Sequence, residues 1–139
     1  MTIRPEAQEL WLKNLRSDDR VLVTGAGGWF GQTAIAMTRE SGLDLLSTGS
    51  KDQQIDINGQ SQAVHAQSLE MIGAFEPTVV IDTAFVTRER LPDLGYKAYV
   101  ETNQRIIDHS LAIAALPSVR KYIGFSSGAT MHLAGHTSF

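Results

Sequence analysis

Val21-Leu22-Val23-Thr24-Gly25-Ala26-Gly27-Gly28-Trp29-Phe30-Gly31 decides the fold: an apolar run, a threonine, then glycines leading into a helix-like segment. Counted as G-x-G-x-x-G from Gly25, the last position falls on Phe30, so the commonest dinucleotide spacing fails. Counted as T-G-x-x-G-x-x-G, Thr24, Gly25, Gly28 and Gly31 all fall in place. Gly25 then serves the tight turn off a strand, Gly28 lets backbone N–H groups approach phosphates, and Gly31 lets the helix pack close to the strand. The helix start supplies unpaired N–H donors and the positive end of its dipole, which together hold an anion. The stretch predicts a pyrophosphate site, against the plainer reading of an ordinary tight turn.

Outward from it, strand-like and helix-like segments alternate. Pro5 to Leu15 reads as an amphipathic helix with Ala7, Leu10, Trp11 and Leu15 on one face, so residues 1–19 form a helical extension and 20–139 the nucleotide-binding portion. The first strand is Arg20 to Thr24, and its helix runs from Trp29 to Ser41, stopped at Gly42. A second strand, Asp44 to Thr48, leads into a polar loop as far as Gln60. A helix then reaches Phe75, with Val64, Met71, Ile72 and Phe75 at helical spacing. Thr78 to Thr83 is a continuous apolar strand of the kind buried on both faces of a parallel sheet. A long helix keeps Val100, Asn103, Ile107, Leu111 and Ala114 on one face, Pro117 breaks it, and Lys121 to Ser126 is the fourth strand. The expected fold is α/β: a Rossmann-type, doubly wound parallel sheet in the order 3-2-1-4 with an added N-terminal helix. That order puts the fourth strand beside the first and brings Ser126 and Ser127 to the glycine loop.

Composition narrows the partners. A net charge of −3 leaves no basic footprint for nucleic acid, and the absence of cysteine excludes disulfides and thiolate chemistry. No apolar run is long enough to span a bilayer, so a cytoplasmic protein with no membrane partner is expected. His132 and His136 are four apart but sit in a stretch that reads as a flexible tail, and no metal is expected. Asp108-His109 has no serine signature near it, and Arg88, Glu89 and Arg90 read as a solvated charge cluster.

The T-G-x-x-G-x-x-G stretch resembles the hallmark of the short-chain dehydrogenase/reductase superfamily. The alternation from Arg20 to Ser127 resembles the N-terminal part of its extended branch, the nucleotide-sugar epimerases, dehydratases and reductases, and the run from Asp56-Ile57 through Pro77-Thr78-Val79-Val80-Ile81 is most similar to the dTDP-dehydrorhamnose reductase type. The resemblance implies cofactor contacts at Thr24, Gly25, Gly28, Trp29, Phe30 and Gly31, and at Asp56-Ile57 against the adenine. It implies them also at Thr83 and Ala84, in Val80-Ile81-Asp82-Thr83-Ala84, and at Asn103 in the long helix. Asp56 also reads as a turn cap, and Asn103 as a polar group bonded to backbone. In Phe125-Ser126-Ser127-Gly128-Ala129-Thr130 the resemblance makes Ser127 the active-site hydroxyl, with Thr130 as the alternative, helping a tyrosine act as general acid/base.

That tyrosine belongs to a Tyr-x-x-x-Lys pair. Tyr96, Tyr99 and Tyr122 are followed four places on by Val100, Asn103 and Ser126, so none qualifies. The chain is therefore expected to be a truncated piece of a longer enzyme, inactive alone, whose edge at Tyr122, Ile123 and Phe125 invites pairing into a homodimer. The implied cofactor is NADP or NAD. NADP is favoured because Thr48-Gly49-Ser50-Lys51 has no carboxylate before Asp52, leaving Ser50 and Lys51 for a 2′-phosphate. The implied function is hydride transfer on a nucleotide sugar or related carbonyl compound. The alternative is a non-catalytic dinucleotide-binding or regulatory module of the same fold.

Overall fold

The computed structural model describes residues 3–84 and 91–125. Arg88, Glu89, Arg90, Ser126, Ser127, Thr130, His132 and His136 lie outside the described residues. The elements run α1 (Pro5–Lys13), β1 (Arg20–Thr24), α2 (Trp29–Arg39), β2 (Asp44–Gly49), β3 (Gln53–Ile57), β4 (Gln60–Ala66), α3 (Leu69–Phe75), β5 (Val79–Asp82), α4 (Leu91–Leu94), α5 (Tyr96–Ala114) and β6 (Lys121–Gly124). No helix among the described residues is long and apolar enough to cross a membrane.

One sheet holds six strands in the order β3-β4-β2-β1-β5-β6, all parallel to their neighbours except β3, which is antiparallel to β4. Successive side chains of a strand point to opposite faces, and β1 shows why its run had to be apolar throughout. Val21 and Val23 pack on one face with Ile35 and Ala36 of α2 and with Trp11 and Leu15. Leu22 packs on the other with Ile72 of α3, Val80 and Ile113 of α5. Each such fully buried side chain contributes about 1.5–3 kcal/mol.

The structure corrects the reading of the segment between β2 and α3. Residues read as loop and helix form a hairpin, and the helix begins only at Leu69. Asn58 and Gly59 take φ of 53° and 80°, the two positive values that a two-residue hairpin turn with the strands' own twist demands. Burial along β3 alternates residue by residue, ending at buried Ile57, which is the period of a strand and not of a helix. Ser68 then caps α3 by accepting a bond from the Met71 N–H at 3.2 Å, and Glu76, left-handed at φ 54°, ends it before Pro77.

The hairpin changes the strand order. Through β4, which pairs with β2 at Thr48–His65 and Gly49–Ala66, the chain acquires a third parallel strand before β5. The winding 3-2-1-4 is therefore β4-β2-β1-β5, and β6 is a fifth strand outside it. Lys121–Gly124 does not lie beside β1 as expected; β5 takes that place.

Two helix faces also turn out rotated. α1 lies on α2 through Gln8, whose amide donates to Met37 O at 2.6 Å, and Trp11, whose Nε1 donates to Thr38 Oγ1 at 3.2 Å, while Leu10 and Ala7 face solvent. On α5 the stripe Val100, Ile107 and Leu111 is exposed, and the inward positions are Ile106, Ser110 and buried Ile113.

The N-terminal ends of β1, β5 and β6 are locked together. Asp19, 3% exposed, accepts from Arg120 Nε at 2.9 Å, Thr78 Oγ1 at 2.8 Å and the Arg16 N–H at 2.6 Å, and forms an ion pair with Arg120 NH2. The Arg120 guanidinium, more than any other group, holds the Asp19 carboxyl well below the usual carboxylate range.

Candidate functional site

The glycine turn sits at the C-terminal ends of the parallel strands. Gly25 leaves β1 at φ +64°, and a Cβ there would come within 2.6 Å of Thr83 Oγ1 and 2.8 Å of Ala84 N. At Gly31, inside α2, a Cβ would run into Gly25 O and stand 2.8 Å from Ala26 Cα. The protein itself therefore requires both to be bare. Gly28 differs: a Cβ there would meet only Gly25 O, at an ordinary 3.5 Å. Gly28 is also the N-cap of α2, extended at φ −83° and ψ 169°, and no side chain caps the helix. The first N–H groups of a helix have no intrahelical partner, so α2 opens with donors beside a face kept free of side chains. Such a cradle fits a pyrophosphate.

The end of β5 is tied to this turn. Thr83 Oγ1 donates to Thr24 O at 2.7 Å and lies 3.2 Å from Gly25 O. Thr24 Oγ1 donates to Asp82 Oδ1 at 2.6 Å, the Ala84 N–H reaches the same oxygen at 3.2 Å, and the Tyr122 hydroxyl donates to Oδ2. Thr24, Thr83 and Ala84, expected near the cofactor, thus share one end of the sheet with Gly25 and Gly28.

Sequence reading missed Asp82 and Tyr122. A carboxylate inside the otherwise apolar run Val79-Val80-Ile81-Asp82 was the available signal, because a group so buried needs donors close by. Burial, and secondarily its bond to Asp82, pushes the Tyr122 phenol up to about 12. It stays protonated near neutrality and does not replace the tyrosine of a Tyr-x-x-x-Lys pair.

Aromatic side chains frame the turn. Trp29, 69% exposed, meets Phe30 edge to face at 5.1 Å, and Phe30 stacks on Phe125 at 5.4 Å. The stack brings the end of β6 to the glycine turn across the width of β5. Ser127, two residues beyond Phe125, is outside the described residues.

At the end of β2, Ser50 and Lys51 are exposed, and Asp52 Oδ1 accepts from the Ala66 N–H at 2.7 Å. The Ala26 N–H bonds to Thr48 O at 3.0 Å, so this loop and the glycine turn are neighbours. Asp56 and Ile57 do not join them. Antiparallel β3 carries both away from this edge, and the Ile57 carbonyl accepts from Arg39 at the far end of α2, at 2.7 Å. The Ile57 side chain is spent in the core. Asn103, partly buried in α5, donates to Tyr99 O at 3.2 Å. Among the described residues no group of three or more histidines or carboxylates could hold a metal ion.

No family model and no curated protein matches the sequence. Solved structures do. The Bordetella bronchiseptica enzyme WbmG, in complex with NAD and UDP, is 18% identical with a TM-score of 0.56 over 80% of this chain and 38% of its own. MoeE5, in complex with UDP-glucose and NAD, gives 19% and 0.54 over 78% of this chain and 36% of its own. A short-chain dehydrogenase/reductase superfamily protein from Agrobacterium tumefaciens, with bound NAD, gives 20% and 0.51 over 78% and 33%. The chain shares their fold and spans between a third and two fifths of their length.

Proposed function

We propose that the chain is the dinucleotide-binding part of an NAD(P)-dependent oxidoreductase, epimerase or dehydratase of the extended short-chain type, acting on a nucleotide sugar or related carbonyl compound. The observation that carries this reading is the asymmetry of the three glycines: packing requires Gly25 and Gly31 to be bare, whereas a Cβ at Gly28 would make only an ordinary contact with Gly25 O, so packing does not account for that glycine. The NAD held by the three structures named above, and the UDP or UDP-glucose held by two of them, support the ligand class.

On this reading the turn and the start of α2 hold the pyrophosphate, and Thr83 keeps the turn in shape from β5. Ser50 and Lys51 stand at the adenosine end, which favours NADP. A bound nicotinamide would supply hydride transfer at its C4. Ser127 would hydrogen-bond the reacting oxygen. The sequence holds no Tyr-x-x-x-Lys pair to deliver the proton, so these 139 residues are expected to bind cofactor without turning over substrate. A non-catalytic sensor of the same fold would bind equally well, and turnover by a longer form of the protein separates the two readings.

The test is Gly28→Val. Calorimetry should show loss of NAD(P) binding, while thermal melting moves by only about 1 kcal/mol, the cost of replacing a glycine N-cap with a branched side chain. Unchanged affinity would refute the site.

A further inference from the structure

We infer that Gln53 discriminates at the 2′ position of the adenosine ribose, donating its amide N–H to a 2′-phosphate; the inference rests on the dinucleotide reading above. Gln53 opens β3, and because β3 runs antiparallel to β4 its first residue, paired with Val64, lies at the same edge of the sheet as Gly49 and Ala66. Only three residues separate the end of β2 from the start of β3, so its first side chain is still beside the glycine turn, whereas Asp56 and Ile57 further along are carried away from it. Gln53 is half buried, and its Nε2 stands 3.4 Å from where a Cβ on Gly27 would be. Its amide has no hydrogen-bond partner among the described residues.

The neighbouring groups give this amide its meaning. Asp52, the first carboxylate after β2, has Oδ1 committed to the Ala66 N–H, so it is held against the hairpin. Asp52 is itself exposed, and alongside it the lip of the turn presents the Ser50 hydroxyl, the Lys51 ammonium and the Gln53 amide, all three of which can donate to a phosphate. A carboxylate in the place of Gln53 would accept from the ribose hydroxyls and repel a 2′-phosphate, whereas the amide of the same shape carries no charge. Glutamine against glutamate at this position is thus a selector between the two cofactors.

The experiment titrates the 139-residue chain, Gln53→Glu and Gln53→Ala with NADP and with NAD by calorimetry, each variant checked by thermal melting. Gln53→Glu should weaken NADP by about tenfold or more and leave NAD within about threefold, the size of a lost charge-assisted hydrogen bond plus repulsion. Gln53→Ala should fall between, and it carries the test if Gln53→Glu melts early. A ratio of affinities that moves by less than about twofold in the folded variants overturns the proposal, as does a wild-type chain that binds NAD alone. Loss of both cofactors in Gly28→Val alongside an unmoved ratio sinks the role of Gln53 and spares the dinucleotide site. A wild-type chain that binds neither cofactor sinks both.

Discussion

At the N-terminal ends of β1, β5 and β6 the polar groups are spent on one another, whereas at the opposite edge of the sheet the start of α2 and the start of β3 leave donors unspent. Asp19 takes bonds from Arg120, Thr78 and the Arg16 backbone, and Arg20 bonds Asp44 at 2.7 Å and the Phe75 carbonyl at 2.6 Å. At the opposite end α2 begins without a side-chain cap, Gly28 has room for a Cβ, and the Gln53 amide is unpartnered among the described residues. Saturation at one edge stabilises the strands as a unit, so that the other edge can keep groups in reserve for a ligand. Stability and binding should therefore respond separately to changes at the two ends.

The largest effect on stability is expected from Arg120→Ala. It leaves the Asp19 carboxylate buried without its cation, which costs about 3–5 kcal/mol. Urea unfolding should register that loss, with dinucleotide affinity per folded molecule unchanged. Asp19 sets the pH window as well. Its pKa is depressed in the folded chain, so the stabilisation is complete above the ordinary carboxylate pKa and is lost as pH falls below it. Asp19→Asn should flatten the acid limb of stability against pH; an unaltered acid limb would break the comparison.

Next comes Gly31→Ala, where a Cβ has no room against Ala26 and Gly25. Overpacking of this kind costs about 1–3 kcal/mol, in spite of alanine's better helix propensity. Set beside Gly28→Val it sharpens the contrast within one turn: the first variant should lose stability and the second affinity. Equal stability losses would mean that Gly28 is also a packing glycine.

How much of this was legible depends on how local each signal is. The glycine turn needs only one strand and one helix start, and Val21-Leu22-Val23 and Val79-Val80-Ile81 declare buried central strands by composition. The hairpin was missed because Val64, Met71, Ile72 and Phe75 happen to keep helical spacing across a strand–helix boundary, although Asn58-Gly59 marked the turn. The error then propagated, since without β4 the strand order placed β6 against β1. Gln53 carries no signal of its own; its place follows from the start of β3 at this edge, from which the strand runs antiparallel to β4. Asp56-Ile57 matched in type and spacing, yet the course of the strand takes both residues to the wrong end.

The smallest expected effect is that of Tyr122→Phe, which probes whether the binding edge has a locked part of its own. Tyr122 donates to Asp82, and Asp82 holds Thr24, the residue that leads into the glycine turn. Removing the phenol leaves Asp82 with Thr24 and the Ala84 N–H as donors, at a cost of about 1–2 kcal/mol. The pH dependence runs opposite to that of Asp19. The folded-state pKa of Tyr122 is raised from 10.0 to about 12, so its stabilisation is complete below the unfolded value and disappears as pH rises through the folded one. Tyr122→Phe should therefore remove part of the alkaline loss of stability across that interval, and should weaken dinucleotide binding by a few-fold at most, because Thr83 still fixes the turn from β5. An alkaline limb unaltered by the substitution would show that the Tyr122–Asp82 bond does not carry stability. Dinucleotide binding lost altogether would show that the turn is held through Asp82 and not through Thr83.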